Sequence, residues 1–161
     1  MKIRKTLPGD YERVCRIYAD ARKFMSTTGN PHQWKNTDPT TEIVLQDIER
    51  GLSYVCVIEN DIVAVFYYNI EIDPTYGVID GMWLNDAPYG VVHRIASSRK
   101  VKGAGVFCLQ WCLDQCQNLR IDTHKDNIPM KNLLEKLDFD YCGIIWIENG
   151  EERLAYQKLK N

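Results

Sequence analysis

Between Gly90 and His124 the chain reads as four pieces in a fixed order. An apolar strand-like run, GVVHRIA (90–96), leads into a basic glycine loop, SSRKVKGA (97–104). A helical segment, GVFCLQWCLDQCQN (105–118), and a second strand-like run, LRIDTH (119–124), follow. A strand that returns through a helix to its own sheet must lie parallel to the strand it left. This unit therefore fixes the middle of the fold: a parallel pair, with a glycine-rich turn where the first strand feeds the helix.

Hairpins flank it. LSYVCVIE (52–59) and DIVAVFYYNI (61–70) are β-rich runs that almost touch at Asn60-Asp61, and DYCGIIWI (140–147) and RLAYQKL (153–159) meet around Asn149-Gly150. Both imply antiparallel pairs. KIRKT (2–6) reads as a short strand, and a helix from Pro8 to Phe24 carries an apolar stripe at Val14, Ile17, Tyr18 and Ala21. Residues 26–39 form a turn-rich loop with an exposed-looking Trp34, and Asp38-Pro39 opens a second helix to about Arg50. Asn127 caps a last helix with Met130, Leu133, Leu134 and Leu137 on one face. The expected fold is α/β of the α+β kind: a mixed, mostly antiparallel central sheet with helices on both faces. At 161 residues, one domain over 1–161 is the expectation.

A net charge of −2 gives no electrostatic case for nucleic acid as a partner. No apolar run is long enough for a membrane span and the first ten residues lack a signal-peptide core, so a cytoplasmic protein is expected. Cys108, Cys112 and Cys116 recur every four residues along one side of a helix. With Cys15, Cys56 and Cys142 they show no Cys-x-x-Cys spacing, which favours reduced core thiols over a metal site; no metal is expected.

Gly103 and Gly105 stand where the helix begins and would let a ligand approach the backbone with no Cβ in the way. The first turn of a helix carries free N–H groups and the positive end of the dipole, and Lys100 and Lys102 add charge there. That chemistry suits a phosphate-bearing ligand, although an ordinary strand-to-helix turn has the same composition. The Gly-x-Gly-x-x-Gly pattern is broken by Cys108, and the Gly-Lys-Ser/Thr ending of an ATP loop is lacking.

Two motifs in order narrow the choice. Lys100-Val-Lys-Gly103-Ala-Gly105 resembles the Arg/Gln-x-x-Gly-x-Gly/Ala loop of the GNAT superfamily of N-acetyltransferases. The segment from Asn127 through Met130, Leu133, Leu134 and Leu137 to Phe139 resembles that family's Asn-x-x-Ala-x-x-Leu-Tyr-x-Lys-x-Gly-Phe run. The specific match covers residues 91–146. The resemblance implies the GNAT acyl-CoA N-acyltransferase fold, with strands 90–96 and 119–124 splayed apart. It implies acetyl-CoA as co-substrate, with backbone groups of Ile95, Ala96 and Ser97 along the pantetheine arm. Lys100, Val101, Lys102, Gly103, Ala104, Gly105 and Val106 would take the pyrophosphate. Asn127 would meet the pantetheine or sulfur end, beside Met130 and Leu133, a role compatible with plain helix capping. The activity implied is acetyl transfer to a primary amine of a small molecule or protein; a homodimer is common in such enzymes, with the final hairpin as a contact.

The catalytic half departs from the family. Its usual glutamate base falls at Val91 and its usual tyrosine acid at Leu134, and neither can move a proton. His93 on the same strand is the substitute base, since histidine is the side-chain type that titrates near neutral pH. Tyr141 is the substitute acid; as alternatives, His93 is a packed or surface histidine and Tyr141 a core strand aromatic. Glu71, Asp73, Asp80 and Asp86 could line the acceptor side. Trp34 would cover the acceptor site, or else anchor its loop on the sheet. The missing glutamate and tyrosine also fit an acyl-CoA-binding sensor or partner module without transferase activity.

Overall fold

The computed structural model describes residues 1–161. Strand β1 (Lys2–Lys5) is followed by a 3-10 turn at Pro8–Asp10, α1 (Tyr11–Thr27) and α2 (Thr41–Glu49). Strands β2 (Ser53–Ile58), β3 (Asp61–Ile70), β4 (Asp80–Gly81) and β5 (Gly90–Ser97) come next. Then follow α3 (Ala104–Cys116), β6 (Asn118–Thr123), α4 (Ile128–Lys136), β7 (Asp140–Trp146) and β8 (Glu152–Leu159). One eight-stranded sheet runs in the order β1-β2-β3-β5-β6-β8-β7-β4. Only β5 and β6 are parallel; every other neighbouring pair is antiparallel. The expected mixed, mostly antiparallel sheet is the one observed, with β5 and β6 its single parallel pair.

Alternation along β3 shows how the sheet is sandwiched. Ala64, Phe66 and Tyr68 pack with Cys108, Leu109, Cys112 and Leu113 of α3 and Leu134 of α4. Val65, on the opposite face, packs with Val14, Ile17 and Tyr18 of α1 and Val44 and Ile48 of α2. Further along that second face, Tyr67 meets Tyr76 and Tyr89 of the 71–89 connection. Helices therefore cover both faces. Every cysteine is a free thiol, and Cys56, Cys108, Cys112 and Cys142 are buried. Burial pushes the Cys112 thiol up, which keeps it protonated and inert in the core. No helix is long and apolar enough to cross a membrane.

Three boundaries differ from the sequence reading. Helix α1 continues past Phe24 because the hydroxyls of Ser26, Thr27 and Thr28 donate to the carbonyls of Lys23 and Phe24, satisfying its last turn. Helix α2 starts at Thr41 and not at Pro39, since the Thr40 hydroxyl is the cap, accepting from the Ile43 N–H at 3.2 Å. The 71–89 connection contains the two-residue strand β4, paired with β7, and a 3-10 turn at Pro74–Tyr76. Both are too short to leave a periodic pattern.

Asp10 ties the first strand to the first helix. Its carboxylate accepts from Arg4 at 2.6 and 3.2 Å, from the Leu7 N–H at 2.8 Å and from Arg13 at 2.9 Å. The Arg4 bond above all, with the Leu7 and Arg13 bonds behind it, outweighs burial and holds the carboxyl at about 2, below the ordinary 3.8. The depressed value makes its stabilisation complete above 3.8 and lost as pH falls towards about 2. Asp10→Asn should therefore cost about 1–3 kcal/mol at neutral pH by removing the buried anion that Arg4, Arg13 and the Leu7 N–H share. In denaturant titrations the gap between wild type and variant should close on acidification to about pH 2; a gap that stays constant would contradict this account.

Candidate active site

Strands β5 and β6 run side by side for only two residue pairs, Gly90↔Leu119 and Val91↔Arg120. From Val92 to Ser97 the edge of β5 facing β6 has no strand partner. A bulge marks the divergence: on β3 the register passes from Tyr67↔His93 to Val65↔Ala96, which leaves Arg94 and Ile95 opposite Phe66 alone. Arg94 takes the left-handed backbone conformation, φ +50°.

The bulge is held by both ends of Arg94. Its carbonyl accepts from the Tyr18 hydroxyl at 2.8 Å. Its guanidinium donates twice to the Asp47 carboxylate, at 2.9 and 3.0 Å, and lies 4.7 Å from the centre of the Tyr67 ring. Asp47 is buried, and that burial raises its carboxyl against the pull of Arg94. The wedge between the strands opens into two adjoining cavities, of about 490 and 240 Å³.

The smaller cavity gathers much of the expected cofactor set. Ile95, Ala96, Ser97, Gly105, Asn127, Met130 and Leu133 all line it. Lys100, Val101, Lys102, Gly103, Ala104 and Val106 lie outside its lining: Lys100, Lys102 and Gly103 are exposed on the loop and Ala104 is buried in the core. Helix α3 begins at Ala104, with Gly103 in the N-cap position and no side chain capping it. Its first intrahelical bond runs from the Phe107 N–H to the Gly103 carbonyl, 2.9 Å. The N–H groups of Ala104, Gly105 and Val106 precede that bond, so the turn can receive an anion.

The two glycines do different work. A Cβ at Gly103 would meet no atom within 4 Å, but its φ of +83° suits glycine. A Cβ at Gly105 would come within 3.0 Å of Leu133 Cδ2, so this glycine lets α3 approach α4 closely. Sequence reasoning missed Arg99, which lines the smaller cavity with its guanidinium 3.9 Å from the centre of the Phe24 ring. The partner ring comes from α1, some 75 residues earlier in the chain, so no local pattern could single Arg99 out among its basic neighbours.

Asn127 lines both cavities. Its Oδ1 caps α4 by accepting from the Met130 N–H at 3.2 Å, and its Nδ2 donates to Gln33 Oε1 at 2.9 Å. The same Gln33 oxygen accepts from Asn30 Nδ2 at 2.8 Å. Trp34, next to Gln33, corrects the expectation of an exposed ring. It is 9% exposed and packs edge-on against Tyr18, centroids 5.8 Å apart. It is both a loop anchor and a wall of the larger cavity.

His93 lines the larger cavity, with Nε2 2.7 Å from Asp73 Oδ2. Asp73 is fixed in turn: its N–H donates to the Tyr89 hydroxyl at 3.0 Å, and its Oδ1 accepts from the Thr75 N–H and hydroxyl at 2.9 and 2.7 Å. Burial pushes the Asp73 carboxyl up, but the bonds from His93 and Thr75 prevail and hold it at about 2. An ionised carboxylate can only accept, so Nε2 carries a proton and the neutral ring keeps its lone pair on Nδ1. Nδ1 lies 3.9 Å from Asp122 Oδ1, beyond hydrogen-bonding distance. Asp122 is held by the Tyr76 hydroxyl, which donates to it at 2.6 Å; burial raises that phenol well above its usual range.

The other candidates fall elsewhere. Tyr141 is 56% exposed on β7, its ring against Tyr156, and it lines neither cavity. Glu71 accepts from the Tyr67 hydroxyl at 2.7 Å, while Asp80 and Asp86 are exposed. Val91 and Leu134 are fully buried in the core.

No family model and no curated protein matches the sequence. Solved structures do. A GNAT-family acetyltransferase from Streptococcus agalactiae superposes with a TM-score of 0.89 at 29% identity, covering 99% of this chain and 95% of that one. A GNAT-family acetyltransferase from Listeria monocytogenes gives 0.72 at 18% identity, with 98% and 94% coverage. A ribosomal-protein-alanine N-acetyltransferase from Brucella melitensis gives 0.67 at 18%, with 99% of each chain covered. The last two likenesses concern the fold alone. The resemblance carried by the glycine loop and the Asn127 segment thus extends along the whole chain, whose fold is that of the GNAT-family acetyltransferases.

Proposed function

We propose that this protein is an N-acetyltransferase that moves an acetyl group from acetyl-CoA to a primary amine by direct attack. The observation that carries the reading is the cleft between β5 and β6, where a cavity beside the glycine loop adjoins one holding an Asp73-His93 pair. The residues of the first cavity fit a pantetheine and pyrophosphate chain. The free edge of β5 offers backbone donors and acceptors, α3 begins uncapped, and Asn30 Oδ1, buried beside the cavity, has no partner of its own. Acetyl-CoA supplies the activated thioester.

The chain's own residues supply the rest. His93 Nδ1 takes the proton from the ammonium, directly or through one water, so that the amine lone pair is free to attack. As the N–C bond forms and the C–S bond breaks, backbone N–H groups on the free edge of β5 face the developing oxyanion. The newly acylated nitrogen sheds its second proton to the leaving thiolate, whose thiol is only weakly acidic, so no dedicated acid is needed. This suits a cleft where Val91 and Leu134 are core residues and Tyr141 is remote. Those same features favour the second reading, an acyl-CoA-binding module without transfer; the Asp73-His93 pair is what argues against it.

Two measurements test this. Acetyl-CoA at about 100 times its dissociation constant should add roughly 2.7 kcal/mol of stability and raise the unfolding midpoint by several degrees, with ATP and NAD as inactive controls. A protein blind to acetyl-CoA would refute the proposal. In an amine assay, His93→Gln should lower kcat/KM about 10²-fold or more while the acetyl-CoA shift survives. Asp73→Asn should act alike, because an amide can donate to Nε2 and drive the ring proton onto Nδ1. Binding without turnover on any amine would favour the module reading.

A further inference from the structure

The larger cavity is charged unevenly. Four carboxylates line it: Asp73 and Asp122 in its wall, and Asp38 and Glu148, both exposed, at its rim. Two arginines also line it, and each has a carboxylate neighbour outside the lining. Arg94 is bound twice by Asp47, while Arg153 lies 3.5 Å from Glu151, a carboxylate it shares with Lys35 at 2.7 Å. Arg153 also donates to the Glu152 and Gln33 carbonyls, at 2.9 and 3.3 Å. His93 is matched by Asp73. Asp38, Asp122 and Glu148 are left without a cation at salt-bridge distance, save for His93 Nδ1 at 3.9 Å from Asp122.

A second observation points to a ligand in the same cavity. Thr123 lines the cavity next to Asp122, is 1% exposed, and its hydroxyl oxygen is buried with no partner. A buried hydroxyl left unpaired costs free energy that an N–H donor would recover. The lining also includes apolar side chains, among them Met25, Trp34, Ile43, Val92 and Ile121. Inner carboxylates, exposed carboxylates and hydrocarbon in one cavity suit a chain with a cation at each end.

We infer that the acceptor is an amine with a second positive charge, of the alkane-diamine or polyamine class: one nitrogen enters beside His93 and Asp122 while the other stays protonated by the exposed carboxylates Asp38 and Glu148. This rests on the transferase reading above and gives it a substrate class. The arrangement resolves a conflict inherent in an acidic site, which favours the ammonium although only the free amine reacts. The inner nitrogen can pass its proton to His93, the base held by Asp73, whereas the rim carboxylates have no such neighbour and keep the outer nitrogen charged.

Three four-carbon acceptors separate the possibilities: 1,4-diaminobutane, n-butylamine and 4-aminobutanoate, whose far ends are an ammonium, a methyl group and a carboxylate. With acetyl-CoA saturating, kcat/KM should fall in that order, with the diamine ahead of butylamine by about tenfold or more. The advantage should shrink with added salt, because the rim pairs are exposed. Asp38→Asn combined with Glu148→Gln should bring the diamine towards butylamine, the ratio being the readout. Equal rates on diamine and butylamine, a preference for 4-aminobutanoate, or no product from any of the three would overturn the inference. If acetyl-CoA still raises the unfolding midpoint, the cofactor half of the transferase reading stands regardless; if it does not, that reading falls too.

Discussion

The Arg94 bulge is the constraint on which the site depends. Without it, β5 would continue beside β6, its backbone groups would be spent on the sheet, and no cleft would open. A left-handed arginine in a strand is costly, and three contacts from three other elements oppose that cost: Tyr18 of α1 on the carbonyl, Asp47 of α2 on the guanidinium, and the Tyr67 ring of β3 beneath it. Helices α1 and α2 therefore do more than cover an apolar face. They hold one residue in the conformation that parts the strands, and the other contents of the cleft, His93 included, are placed by that parting.

Much of this was legible in the sequence, because the relevant signals are local. Period-two runs marked the strands, the 90–124 unit demanded a parallel crossover, and the glycine loop with the Asn127 segment indicated what the crossover helix and its successor surround. The illegible parts are those made by distant partners. Asp73 looked like its neighbours Glu71, Asp80 and Asp86 until the fold brought it against His93, 20 residues away. Asp122 and Thr123 read as ordinary strand residues, and their significance comes from the strand that leaves them. Trp34 sits in a run of turn residues that suggests solvent, yet Tyr18 receives its ring. Residue type alone singles out Tyr141, and its place on β7 carries it away from the cleft.

The two cavities divide the chemistry by the kind of group that lines them. The smaller one is walled by free strand backbone, a helix start and apolar side chains, which suits a long amphipathic chain with phosphates at one end. The larger one is walled by ionisable side chains. Asn127 and Gln33 stand at the join, one amide bonded to the next, so helix α4 and the loop that follows α1 share a single hydrogen-bonded partition.

The brief pairing of β5 with β6 also bears on the sheet as a mechanical object. Its eight strands form two four-stranded panels, β1-β2-β3-β5 and β6-β8-β7-β4, stitched along one short seam of two residue pairs at Gly90 and Val91. Beyond the seam no ladder hydrogen bond sets the distance between the panels. The cleft's width is set instead by what is layered over it: α3 and α4 on one face, and on the other α1 and the loop pinned by Gln33. The aperture of this site is thus governed by side-chain packing across the panels, which can change with far less disruption than a hydrogen-bonded ladder.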